Sequence, residues 1–138
     1  MGFRQAMADG GLRVDENLVD QGLYTFESGL LAGRRLLASK TRPTAVFAAN
    51  DDMAAGVLMA AHERGLVVPD DVSVAGFDDS LISRVVWPQL TTIHQPTYTM
   101  ANRATDALLA LIDGTRQDGH IHLDHALLTR GSTAPPRF

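Results

Sequence analysis

The apolar positions of this chain change rhythm along its length, and the change predicts alternating strands and helices. Thr44-Ala45-Val46-Phe47-Ala48-Ala49 is a nearly unbroken apolar run, the pattern of a parallel strand buried on both faces. It stops at Asn50-Asp51, whose side chains can cap the free amides of a following helix. Met53, Ala54, Val57, Leu58 and Ala61 then recur at helical spacing, and Gly65 is placed to end the helix. Beyond the turn at Pro69-Asp70-Asp71, Val72 to Phe77 reads as the next strand. Strand, helix and strand within about 35 residues form a βαβ unit with a right-handed crossover.

The rhythm continues outward. Phe3 to Ala8 reads as a short helix closed by Gly10-Gly11, and Asn17 to Gln21 as a strand. Thr25 can cap a helix toward Ser39 carrying Phe26, Leu30, Leu36 and Leu37. A helical turn is expected between Asp79 and Pro88, and Leu90 to Ile93 is a brief, mostly β-branched strand. Thr97 to Asp113 is an amphipathic helix with Met100, Ala104, Ala107, Leu108 and Leu111 on one face and Gly114 after it. Thr115 to Gly119 is a polar loop, and Ile121 to Thr129 a last strand. The expected class is α/β, a mostly parallel sheet with helices on both faces.

Composition narrows the function. The chain has 138 residues, 45% apolar and 20% charged, enough for one globular domain with a real core. Its apolar runs are too short to span a bilayer, and its first residues lack a signal-peptide pattern, so a cytoplasmic protein without a membrane partner is expected. No cysteine is present, which removes disulfides, thiolate metal sites and cysteine nucleophiles. The formal charge is −4 and Arg34-Arg35 is the only adjacent basic pair. A surface that grips DNA must neutralise phosphates, so this chain by itself is not expected to bind nucleic acid.

In open parallel sheets, ligands bind beyond the carboxyl ends of the strands. The residues there are Leu23-Tyr24, Asn50-Asp51 and Asp78-Asp79. A neutral sugar suits this set, with paired hydroxyls for Asp or Asn and an apolar face for a ring. Each residue also has a plainer reading. Asn50 and Asp51 can be helix caps, Asp78 and Asp79 can start a helix, and Tyr24 can be core or surface. His120 and His122 would share one strand face near His125, yet no third zinc ligand is evident, and a solvated edge strand is the simpler reading. The aspartate pairs could act as the acid and base of a glycosidase, but nothing in the sequence raises one carboxylate's pKa. No P-loop, G-x-S-x-G or G-x-G-x-x-G segment occurs. No metal or cofactor is expected.

Four segments carry a family resemblance. Arg42 to Ala54 resembles the "pTAvfaaNDxmA" segment of LacI/GalR-type transcription regulators. Gly65 to Asp79 is similar to their "GlxvPxDvSvvGfDd", Pro88 to Pro96 to "PxLTTixQp", and Arg130 to Thr133 to "RxSt". The order is collinear over essentially the whole chain. The resemblance implies the C-terminal part of an effector domain with a periplasmic-binding-protein-like fold. Residues 1–94 and 126–138 would form mainly the C-terminal lobe, and 95–125 a segment of the N-terminal lobe. The helix-turn-helix, hinge and remaining N-terminal lobe lie outside these residues, so operator DNA would be met only through a headpiece absent from this chain.

The resemblance further implies that Asp78 and Asn50 contact a small sugar-like, polyol or nucleoside effector. Tyr24 would stack on it, and Gln95 would reach the cleft from a strand crossing between lobes. Asp51 and Phe77 are second-rank candidates. It also implies a two-fold homodimer through Val85-Val86-Trp87 and the helix bearing Ala55; a local lid over the sheet is the other reading of the Val85–Trp87 stretch. The 97–113 helix would lack its sheet partner, and each wet apolar side chain would cost about 1.5–3 kcal/mol, so it is expected to dock on a second chain or back on this one. A solute-binding protein of the related periplasmic type and a sugar-processing enzyme are the alternatives.

Overall fold

A computed structural model describes residues 2–115 and 119–136. In chain order the elements are α1 (Gly2–Asp9), α2 (Phe26–Ala38), β1 (Ala45–Phe47), α3 (Asp51–Glu63), β2 (Ser73–Ala75), α4 (Ile82–Val85), β3 (Thr92–His94), α5 (Thr97–Ile112) and β4 (Ala126–Leu128), with a 3-10 turn at Glu16–Leu18. The polar loop expected at 115–119 lies in part outside the described residues.

The βαβ unit is present. β1 and β2 pair in parallel, with Ala45, Val46 and Phe47 opposite Ser73, Val74 and Ala75, and α3 makes the crossover. Parallel bridges from Ala75 to Thr91 and from Asp78 to His94 carry the pairing onward, while β3 and β4 are antiparallel. Local chemistry sets the helix ends. Thr25 Oγ1 accepts from Ser28 N–H at 3.2 Å and Asn50 Oδ1 from Met53 N–H at 2.9 Å, satisfying amides that have no partner within the helix. Gly65 leaves α3 at φ +68°, and the Leu66 amide turns back to the Ala61 carbonyl at 2.9 Å, a glycine-dependent stop.

The core forms where α3 meets the sheet. Val46, Ala48, Val57, Leu58, Val72, Val74 and Leu90 are buried together, each large aliphatic contributing about 1.5–3 kcal/mol by leaving water. α3 is buried nearly all round rather than along one stripe, because α2 packs closely on its other side. The seam is made of small residues. A methyl on Gly29 would stand 2.2 Å from the Met53 carbonyl oxygen, and one on Gly56 2.3 Å from that of Phe26. Such approach is possible only without a side chain.

Three expectations need correction. β1 is buried on one face only: Val46 and Ala48 join the core, whereas Phe47 is 52% exposed. The strand expected at 17–21 is replaced by the 3-10 turn, because Asp15 Oδ1 captures the Asn17 amide at 3.0 Å and satisfies that backbone locally. The strand expected from Ile121 contracts to Ala126–Leu128, leaving His120 and His122 outside any strand. α5 forms as expected; within this single chain none of its residues is buried, and Met100, Leu108 and Leu111 are exposed.

Candidate functional site

The three loops expected to converge are joined by side-chain hydrogen bonds. Asn50 Nδ2 donates to the Tyr24 carbonyl oxygen at 3.0 Å. The amide that caps α3 therefore also fixes the first loop against the second. Tyr24 itself is 69% exposed, so its ring is available to a ligand, and it sits at φ 60°. Asp78 and Asp79 have φ 115° and 55°. These are the non-glycine residues with positive φ among the described residues. Such backbone costs on the order of 1–3 kcal/mol per residue and concentrates where function needs it.

Asp78 lies at the centre of the arrangement. Gln95 Nε2 donates to its Oδ1 at 2.6 Å, linking the loop after β2 to the segment after β3. Partial burial pushes the Asp78 carboxyl above the ordinary carboxylate range; the Gln95 bond opposes that, and the nearby Asp51 and Asp52 charges reinforce it. Phe77 and Gln95 line a cavity of ≈ 260 Å³ with Met100, Ile121, His122 and His125, so Phe77 faces α5 and the 121–125 segment.

Asp79 has a different fate. Its side chain is 3% exposed and accepts from Arg84 Nη2 at 2.7 Å, with His94 Nδ1 at 3.1 Å and Arg130 Nη2 also on the carboxylate. Burial alone would raise its pKa, but the bonds from Arg84, Arg130 and His94 outweigh it and hold the group well below the carboxylate range. Asp79 is a fixed anion.

Asp51 must be withdrawn from the ligand contacts. It is fully buried, and its two oxygens accept from Thr92 Oγ1 at 2.6 Å and the Ser80 amide at 2.7 Å. No ligand can reach it in this fold; it pins α3 to β3 and to the loop after Asp79. Asn50 is 8% exposed and acts as both cap and loop tie. Arg84, Thr92, His94 and Arg130 were not singled out from the sequence. The signal available for Arg130 was the Arg-x-Ser segment, together with an aspartate pair of which one member needed a counter-ion.

The apolar surface also sorts itself. Trp87 is 90% and Val85 68% exposed, but Val86 packs against the core. Ala55 is 3% exposed. Ala55 is covered by this chain itself, whereas Val86 is partly buried against the core.

The strand-end loops cluster beside the βαβ unit, at the edge where open parallel sheets receive ligands. The chain belongs to the periplasmic binding protein-like domain family, whose model matches residues 1–133. The HTH-type transcriptional repressor PurR of Pectobacterium carotovorum subsp. carotovorum (strain PC1) is 43% identical over 135 residues, covering 97% of this chain and 40% of that protein. Catabolite control protein A of Priestia megaterium is 38% identical over 133 residues, covering 96% of this chain and 40% of that protein. Among solved structures, a transcriptional regulator CelR–cellobiose complex superposes with TM-score 0.89 at 36% identity, over 95% of this chain and 40% of that one. A LacI-family regulatory protein from Chloroflexus aggregans superposes with TM-score 0.85 at 32% identity, over 96% and 48%. The LacI-type resemblance carried by the four sequence segments is thus matched by relatives and by fold. The chain spans about two fifths of the length of these curated relatives.

Proposed function

We propose that this chain supplies one wall of the effector cleft in a LacI-type transcription regulator and receives a neutral, hydroxyl-rich small molecule. The observation that carries the reading is Asp78: a partly buried carboxylate, oriented by Gln95, at the meeting point of the loops after β2 and β3. One carboxylate can accept from two adjacent hydroxyls, and the exposed Tyr24 ring can cover an apolar sugar face. Asn50 and Phe77 border the same edge. Arg84 and Arg130 are engaged by Asp79, so this wall favours an uncharged ligand over a phosphate. Residues 1–94 and 126–138 form the lobe proper, and 95–125 belong with a second lobe.

DNA would be contacted by a headpiece outside these residues, in a cytoplasmic homodimer that presents Val85 and Trp87 at its interface. No described helix is long and apolar enough to cross a membrane. An enzymatic role is disfavoured although the Asp78 pKa is raised: Asp79 is held as an anion by Arg84 and Arg130 and Asp51 is enclosed. Isothermal titration with a panel of sugars and nucleosides, paired with product analysis, tests the reading. Saturable binding that weakens in Asp78→Ala, with ligand recovered unchanged, is the expected result. Turnover of a glycoside would overturn it.

A further inference from the structure

The C-terminal Arg130-Gly131-Ser132-Thr133 segment has a role that the site description leaves open. Ser132 Oγ accepts from the Thr91 amide at 2.8 Å and donates to the Val74 carbonyl at 2.5 Å, stitching the segment between β2 and the approach to β3. Arg130 starts from this stitched backbone, its own amide donating to Thr91 Oγ1 at 2.9 Å. Its guanidinium reaches Ser83 Oγ at 2.9 Å, the Leu90 carbonyl at 3.0 Å and the Asp79 carboxylate. One side chain thus bonds α4, the strand approach and the loop after β2 together.

That loop needs such support. Its amides are held at intervals: Asp78 N–H by the Ile93 carbonyl at 2.9 Å, Asp79 N–H by Thr92 Oγ1 at 3.3 Å and Ser80 N–H by Asp51 at 2.7 Å. Even so, two consecutive residues sit at positive φ, a conformation that persists only where the surroundings over-determine it. The Asp79 side chain is a further handle on this backbone, beside the Gln95 bond to Asp78. Of its side-chain partners, Arg84 and His94 are about half exposed, whereas Arg130 is 16% exposed. Arg84 makes the two-nitrogen contact to the Asp79 oxygens from the exposed side; screening is weakest at Arg130, whose planar guanidinium ties Asp79 to Ser83 and the Leu90 carbonyl at once.

We infer that Arg130 is a positioning residue for the effector site: by clamping Asp79 from the C-terminal segment, it fixes the backbone that aims Asp78 into the cleft. This rests on the reading of Asp78 as the effector's acceptor. The groups facing Asp79 are Arg84 from α4, His94 from β3 and Arg130 itself, with the Ser83 and Thr92 hydroxyls beside them.

The test uses the 138-residue chain without ligand, so it stands apart from whether Asp78 receives a sugar. Carbon-detected titration of the aspartate carboxyls and amide hydrogen exchange are measured in Arg130→Met and Arg130→Lys. In Arg130→Met the Asp79 midpoint should move upward by about one pH unit or more. Exchange at the Asp78 amide should quicken about tenfold or more, while the Ala54 amide inside α3 stays protected. Arg130→Lys, which keeps the charge and loses the simultaneous reach to Ser83, Leu90 and Asp79, should show both changes at reduced size, and provides the reading if Arg130→Met does not fold. An unmoved Asp79 midpoint would overturn the inference. So would Asp78 and Ala54 amides quickening together, which marks general loosening.

Discussion

Gln95 donates to Asp78 across 2.6 Å, and the bond joins the loop after β2 to the segment that leads into α5. The acceptor is partly buried, near Asp51 and Asp52, with its pKa raised. A carboxyl with a raised folded-state pKa stabilises the fold below its unfolded pKa, and that contribution is lost as pH rises through the folded value. At neutral pH the charged Asp78 is therefore a stability cost. Asp78→Asn should leave the chain equally or more stable, by up to about 1 kcal/mol, while ligand binding falls. Thermal melts at pH 7 beside titration check this, and a marked loss of stability would count against it.

Asp79 has the opposite sign. Its folded pKa lies below the unfolded value, so its contribution is present above the unfolded pKa and disappears as pH falls through the folded one. Stability should begin to drop below about pH 4. Urea denaturation at pH 7 and pH 3 should show a shallower loss in Asp79→Asn than in the parent. Equal slopes would show that other carboxylates govern acid unfolding.

The α2–α3 seam depends on missing side chains. Gly29→Ala and Gly56→Ala each place a methyl against helix backbone that cannot yield, and should cost about 1–3 kcal/mol. Gly2→Ala meets nothing within 4 Å and serves as the control. Denaturant midpoints distinguish the two cases.

The apolar corner after α4 separates association from folding. Val85→Lys with Trp87→Asp should yield a folded monomer by light scattering, since both side chains are exposed. Val86→Lys should unfold the chain instead, because Val86 packs on the core. A parent chain that is already monomeric would remove the proposed homodimer interface.

Periodic segments were legible in the sequence: α2, α3 and α5, the βαβ unit and the Thr25 and Asn50 caps all depend on local spacing. What depended on distant partners was not. Nothing near Asp51 announces that Thr92, 41 residues away, will consume its carboxylate, or that Ala55 will be covered by its own chain. Asp78 and Asp79 are adjacent and chemically identical, yet Arg130 and Arg84 make one a fixed ion while the other is left to Gln95. The strand expected at 17–21 failed for a local reason, the Asp15 side chain competing for backbone.

The most direct test of the effector-wall reading is amide and carboxyl shift mapping on this chain, titrated with the sugar and nucleoside panel. Weak binding on the order of millimolar, about 4 kcal/mol, is sufficient. The expected result is saturable perturbation at Asp78, Gln95, Tyr24 and Asn50 for an uncharged ligand, abolished in Asp78→Ala. Perturbations centred elsewhere, or unchanged by that substitution, would contradict the assignment of this edge as the effector wall.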